Sequence, residues 1–211
     1  MTKEDALRVI FQCATEYEKN LAGRNLLFVV GEVQHPNWIE AAFSASGYLH
    51  LTGVKVSADI KPRKFFTMCK NRRLSINDFE MASDGTTDLK LSVLPFLVKK
   101  DLSARMVGAH NQQTRFLYTD KLIGSVNKGC MGFVQAQENS RYYVPNTTIN
   151  EDIRDITSRP QERIILACEK LRTDPKYCNI VYLANGIKIE NIRFPVFLSD
   201  LLLLSQSVYR L

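Results

Sequence analysis

Histidine is scarce in this chain: His35, His50 and His110 are the only three, and they lie far apart. That spacing offers no His-x-x-x-His pair, and no cluster of acidic residues stands in for one, so a metal centre is not expected. Paired cysteines are missing as well. Cys13, Cys69, Cys130, Cys168 and Cys178 are odd in number and form no Cys-x-x-Cys pair, which argues against a disulfide framework or a zinc ribbon and for free thiols. No Walker or dinucleotide glycine loop is present, because the glycines from Gly124 to Gly132 have the wrong spacing. A Gly-x-Ser-x-Gly elbow is absent too. The longest apolar run, Phe194 to Leu204, carries Asp200 and is too short to span a bilayer. Thr2-Lys3-Glu4-Asp5 is too acidic to open a signal peptide. A cytoplasmic location, no membrane contact, no metal and no cofactor are the expectations. Acid–base chemistry without a metal survives this sieve best.

What remains is ordinary for a protein with a real core. Hydrophobic residues make up 45% of the 211 and charged residues 24%, enough to fill one domain spanning residues 1–211. The formal charge of +6 suits a polyanionic partner such as nucleic acid.

Residues 2–22 read as a helix, with Thr2 and Asp5 as a capping box and Gly23 as its stop. Strands follow at 25–30 and 38–43, joined by a turn holding Pro36. Tyr48-Leu49-His50-Leu51-Thr52-Gly53 reads as a third strand, which sets Tyr48, His50 and Thr52 in one row on one face. A basic amphipathic helix is expected at 61–73, a short one from Ser75 and Asp78, and another at 87–99 despite Pro95. Short strands are expected at 104–109, 114–119, 121–126, 130–137, 141–144 and 179–183, and 162–171 fits strand or helix, with the Arg-Ile-Ile-Leu-Ala run favouring strand. Asn185-Gly186 signals a hairpin returning at 187–189, and an apolar helix from Pro195 to Val208 closes the chain. The fold class is α+β: N-terminal helices packed on an antiparallel β-sheet, with a C-terminal apolar helix over residues 191–211.

Three stretches carry functional chemistry. The imidazole of His50 is a group suited to moving a proton, with the hydroxyls of Tyr48 and Thr52 beside it; a sheet histidine satisfied by a backbone carbonyl is the plainer alternative. In Thr114-Arg115-Phe116-Leu117-Tyr118-Thr119-Asp120-Lys121, alternation puts Arg115 and Thr119 on one face. Arg115 can clamp a phosphate, Lys121 adds a point charge, and the interleaved aromatics can stack on bases. A charged outer face of an ordinary strand fits these residues equally. In Arg141-Tyr142-Tyr143-Val144-Pro145-Asn146-Thr147-Thr148, Pro145 ends the strand and only one of the two tyrosines can join a given face. Asn146-Thr147-Thr148 then reads a base or orients a ribose, or else closes a turn on its own backbone.

In order, Tyr48 to Gly53, Lys64-Phe65-Phe66, Leu89 to Leu94, Thr119 to Gly124, Gly132-Phe133, Tyr142 to Thr147 and Lys176-Tyr177 resemble the fourth group of phage-associated barnase–EndoU–colicin–RelE-like nuclease domains. The resemblance runs from the first helix to about Gly186. It implies a metal-independent ribonuclease-like protein of phage or mobile-element origin, toxin-like, acting on RNA with tRNA among the candidates. It implies a site at His50, Thr52, Thr119, Lys121, Tyr143 and Asn146, to which the reading of the residues adds Arg115 and Tyr48. In that site His50 is the proton-transfer group with Thr52 beside it, Arg115 and Lys121 stabilise charge on the phosphorane, and Tyr48, Thr119, Tyr143 and Asn146 hold the substrate.

Two other functions fit the same chain. One is a non-catalytic phage or plasmid protein that inhibits a host factor, docking or dimerising through Phe197, Leu201, Leu204 and Val208. The other is an ADP-ribosyltransferase-like enzyme, for which a strand-borne His50 would meet a nicotinamide ribose. Its nearest approach to a catalytic-glutamate loop is Gln135-Ala136-Gln137-Glu138.

Overall fold

The computed structural model describes residues 1–113, 118–138 and 140–204. In chain order the elements are α1 (Lys3–Asn20), β1 (Arg24–Glu32), β2 (His35–Ala42), α2 (Tyr48–Thr52), β3 (Lys55–Val56), α3 (Pro62–Lys70), β4 (Phe79–Glu80) and α4 (Thr86–Leu97). There follow β5 (Met106–Ala109), β6 (Lys121–Gly124), β7 (Cys130–Gln135), β8 (Tyr142–Ile149), α5 (Ile153–Ile156), β9 (Glu162–Leu171), β10 (Asn179–Leu183) and α6 (Val196–Leu201).

The α+β class holds, but the sheet is not open. Its order is β1-β2-β8-β7-β6-β5-β9, and β9 pairs back onto β1, so seven strands close into a barrel with β10 added along β9. One pair breaks the antiparallel rule: β2 and β8 run parallel, matching Glu40 with Tyr142 and Ala41 with Tyr143. Closure rests on alternation in β1. Leu26, Phe28 and Val30 face a core shared with α1 to α4, while Leu27 and Val29 face a second core with Ile165, Cys168 and Tyr177. A central strand apolar on both faces can take neighbours on both edges and layers on both sides. A third, smaller core of Leu122, Cys130, Ile149, Ile153 and Ile156 lies under α5.

The first helix forms as its sequence demands: the Thr2 hydroxyl accepts from Asp5 N–H, the Asp5 carboxylate accepts from Thr2 N–H, and Ile10, Cys13, Ala14 and Tyr17 are buried. Helix α3 begins with Pro62, suited to a first turn whose N–H groups have no partner anyway. Other expectations are corrected. Ser75 and Asp78 close a turn through Ser75 N–H and the Asp78 carboxylate rather than start a helix. Strand β8 runs straight through Pro145, where a bulge at Asn146 opposite Gly132 and Phe133 of β7 interrupts the ladder beside the proline. After Asn185-Gly186 the chain makes a 3-10 turn at Ile189–Asn191 instead of a returning strand. The apolar C-terminal helix ends at Leu201, since Leu202 is drawn into a parallel bridge with Tyr177. Its expected extension to Val208, and most of the strand expected at 114–119, lie outside the described residues.

Candidate functional site

The Tyr48–Gly53 stretch is a helix, and this redistributes its side chains. At 100° per residue Tyr48 and Thr52 share a face and His50 points away from them. Both hydroxyl residues are fully buried. Tyr48 Oη donates to Ile10 O at 2.6 Å, and Thr52 Oγ1 donates to Leu49 O at 2.8 Å, so neither is offered to a ligand. The expected row of phenol, imidazole and hydroxyl is therefore replaced by a single exposed imidazole.

Helix α2 is held by its neighbours, which capture its last carbonyls. Lys90 Nζ donates to His50 O at 3.1 Å, Thr148 Oγ1 to Leu51 O at 2.9 Å and Thr87 Oγ1 to Gly53 O at 2.8 Å. Gly53 takes the left-handed conformation that ends the helix, and a Cβ there would lie 2.7 Å from Lys90 Cδ. His50 is thus carried on a rigid platform built by α4 and β8.

Strand register divides the other candidates. Lys121 pairs with Phe133, and Tyr143 pairs with Gln135, which puts both on the β7 face that carries Phe133. Tyr143 is half-buried there near Asp120, and burial first, then the Asp120 carboxylate, raise its phenol pKa. Gly132 belongs to the opposite face. A Cβ on Gly132 would lie 2.7 Å from Thr119 Oγ1 and 3.2 Å from Asn146 Oδ1. Across this gap Thr119 Oγ1 donates to Phe133 O at 3.1 Å and approaches Asn146 Oδ1 at 3.4 Å, while Asn146 Nδ2 donates to Tyr118 O. The β8 bulge, which sets Thr147 opposite Gly132 and Pro145 opposite Phe133, leaves Asn146 unpaired and free to turn toward Thr119. Tyr143 and Asn146 therefore do not share one substrate surface. Arg115 lies outside the described residues.

From Asn146 the polar surface continues along β8. The same Gly132 position is 2.7 Å from Thr147 Cγ2, and Thr147, Thr148 and Asn150 line a cleft of about 170 Å³ with Thr86, Lys90 and Glu151. Lys90 links the cleft to the backbone of His50. Thr119, Asn146 and Thr147 so form one polar strip over β7 and β8 that runs into the Lys90 cleft. Helix α2 borders it on the Thr148 side, where it packs on the first core, and among the described residues no contact brings the His50 ring into the strip.

Two features escaped sequence reasoning. His110 is buried at the end of β5, with neither ring nitrogen hydrogen-bonded among the described residues, and burial lowers its pKa. Glu40 is buried on the other side of β2, where Tyr177 Oη donates to Oε2 at 2.7 Å. Arg141 Nε stands 3.3 Å from Glu40 Oε1 as an ion pair out of hydrogen-bond alignment. The alternation of β2 was the available signal, since Glu40 falls on the same face as Trp38. Among the described residues no three His, Cys, Asp or Glu side chains gather as metal ligands, and no helix is long and apolar enough to cross a membrane. The face expected to dock a partner is divided, with Leu201 and Leu204 packed on the second core and Phe197 exposed.

The sequence pattern of the phage-Barnase-EndoU-ColicinE5/D-RelE like nuclease4 family matches residues 9–186. The chain belongs to this family. The match covers every strand of the barrel and all of the strip, and it supports a ribonuclease-like function with nucleic acid as the substrate class. No curated protein and no solved structure matches the chain.

Proposed function

We propose that this nuclease-family protein binds RNA and cuts it by attack of the ribose 2′-hydroxyl, with proton transfer by side chains rather than by a metal. The observation that carries the reading is the polar strip of Thr119, Asn146 and Thr147 over β7 and β8, running into a cleft that holds Lys90. His50 is exposed on the neighbouring helix, whose position is fixed by three side-chain bonds to its carbonyls. A rigidly held imidazole is suited to take the 2′-proton or to protonate the leaving 5′-oxygen. Thr119 and Asn146 offer the hydroxyl and amide that orient a ribose or base on the strip. Arg115 is assigned to phosphate charge, while Lys121, on the other face of β7, takes no part in the strip. Tyr48 and Thr52 take no part, since their hydroxyls serve the fold. The ADP-ribosyltransferase reading loses its footing, because His50 is not strand-borne.

The test is cleavage of total RNA and of tRNA in EDTA by wild type and by His50→Ala. Because His50 is bonded only through its backbone, the variant keeps its fold and loses about 10² to 10⁴ in rate. Equal rates remove His50 from the mechanism.

A further inference from the structure

We infer that a second surface, on the outer side of β2 and β8, is a stacking platform for an unpaired base of the RNA that flanks the strip; this rests on the nuclease reading. Trp38 and Phe197 are the core of it. Their ring centroids stand 6.1 Å apart at 35°, and Trp38 is 38% and Phe197 46% exposed. Large aromatics left this open on one patch are unusual for a face with no ligand. The Arg141 guanidinium lies 5.9 Å from the Phe197 ring centroid and 4.7 Å from that of Tyr142.

The investment behind Arg141 is what points to a ligand. Glu40, 1% exposed, sits beneath it with one carboxylate oxygen bonded to Tyr177 and the other bearing no hydrogen bond. Burying a carboxylate is costly, and here its effect is to fix one guanidinium at the edge of an aromatic patch, where its Nη2 donates to the Tyr142 hydroxyl. A planar cation beside exposed rings is the chemistry that holds a base by its face and its phosphate by charge. Unpaired bases alone offer such faces, so the substrate is single-stranded.

The placement fits one track. Tyr142 is the β8 residue paired with Glu40, and Thr147 lies five positions along the same strand, roughly 16 Å away at strand rise. The parity change at the bulge keeps Tyr142 and Thr147 on one side. A strand of RNA lying along β8 would place one base at Trp38 and Phe197 and a neighbouring ribose at Asn146.

Trp38 is the only tryptophan in the chain, so its fluorescence reports on this surface alone. The experiment titrates the full chain with a 2′-O-methyl RNA hexamer, which cannot be cut through the 2′-oxygen, and with a duplex of the same sequence. Single-stranded RNA is expected to quench Trp38, and the duplex is expected not to. Phe197→Ala, at an exposed position, should weaken the quench about five- to hundredfold, and Arg141→Lys should weaken it further as salt rises. Circular dichroism confirms that both variants are folded. An unchanged Trp38 signal, equal quenching by duplex, or full affinity in folded Phe197→Ala overturns the platform. Cleavage without quenching defeats the platform and leaves the nuclease reading standing. Quenching without cleavage does the reverse.

Discussion

Gly132→Ala tests the geometry on which the strip depends. The backbone of Gly132 is ordinary for any residue, so the cost of a methyl is steric alone. The new Cβ would lie 2.7 Å from both Thr119 Oγ1 and Thr147 Cγ2, closer than carbon tolerates, and 3.2 Å from Asn146 Oδ1. Neither threonine can yield cheaply. Both are β-branched, with the clashing atom one bond from Cβ and the rotamer stiff. Thr119 must also give up its bond to Phe133 O to rotate away. Overpacking costs about 1–3 kcal/mol and a lost hydrogen bond about 1 more, which gives roughly 2–4 kcal/mol. For a chain of this size that lowers Tm by roughly 5–15 °C. The assay is thermal unfolding followed by calorimetry, with Gly186→Ala as the control. Gly186 has φ 79° but open space around it, so its variant carries only the smaller left-handed penalty of about 1–2 kcal/mol. In RNA cleavage at a temperature where both variants are folded, Gly132→Ala should lose more activity than Gly186→Ala. A Gly132→Ala protein as stable and active as wild type refutes the close approach of Thr119, Thr147 and Asn146 over β7.

Tyr177→Phe should destabilise the chain by about 1.5–3 kcal/mol, because it withdraws the only hydrogen bond that the buried Glu40 carboxylate accepts among the described residues. Denaturant unfolding of this variant, of Glu40→Gln and of the double variant measures the coupling; additive effects would dismiss the contact. Stability should hold to about pH 9 and then fall toward pH 12. Burial pushes the thiols of Cys13, Cys69, Cys130 and Cys168 up to about 12, against an unfolded value of about 8.5. Their folded values are raised, so their contribution is complete below the unfolded range and is lost as pH rises through the folded one. Unfolding by urea from pH 7 to 12 checks this, and a flat profile counts against burial of the thiols. Asn20→Ala should cost about 1–3 kcal/mol, since the buried Asn20 amide ties α1 to Val98 O at 3.0 Å. A thermal shift within error would deny that tie.

The sequence was legible where a segment's own pattern settled its state. The Thr2–Asp5 box starts α1 as expected, and the Arg-Ile-Ile-Leu-Ala run tips 162–171, open between strand and helix by pattern, toward the strand that β9 is. Tyr48–Gly53 was misread because five residues show period 2 and period 3.6 almost equally. Tyr48, Leu51 and Thr52 are the buried ones, a helical spacing, and Gly53 was a helix stop rather than a hairpin turn. Pro145 looked like a strand end because the bulge that accommodates it depends on β7. Barrel closure was hidden for a like reason, as it depends on β1 meeting β9 from far along the chain. Of the candidate residues, Thr119 and Asn146 do lie together, while His50 stands on a neighbouring helix with its ring outside their contacts. The split of Lys121 and Tyr143 onto the other face of β7 followed from register, which no local pattern carries.

The closing pair of the barrel also sets a clock on synthesis. Strand β1 is complete at Glu32, but its second partner begins at Glu162. At about 5–20 residues per second, β1 waits on the order of ten seconds or more on the ribosome with one edge paired to β2 and the other bare. Strand β8, which carries the strip, finishes at Ile149 and also precedes β9. A nascent or truncated chain that stops short of Leu171 can hold every residue of the strip and still lack the barrel that sets their spacing. The spacing of those residues is therefore fixed only when β9 pairs with β1.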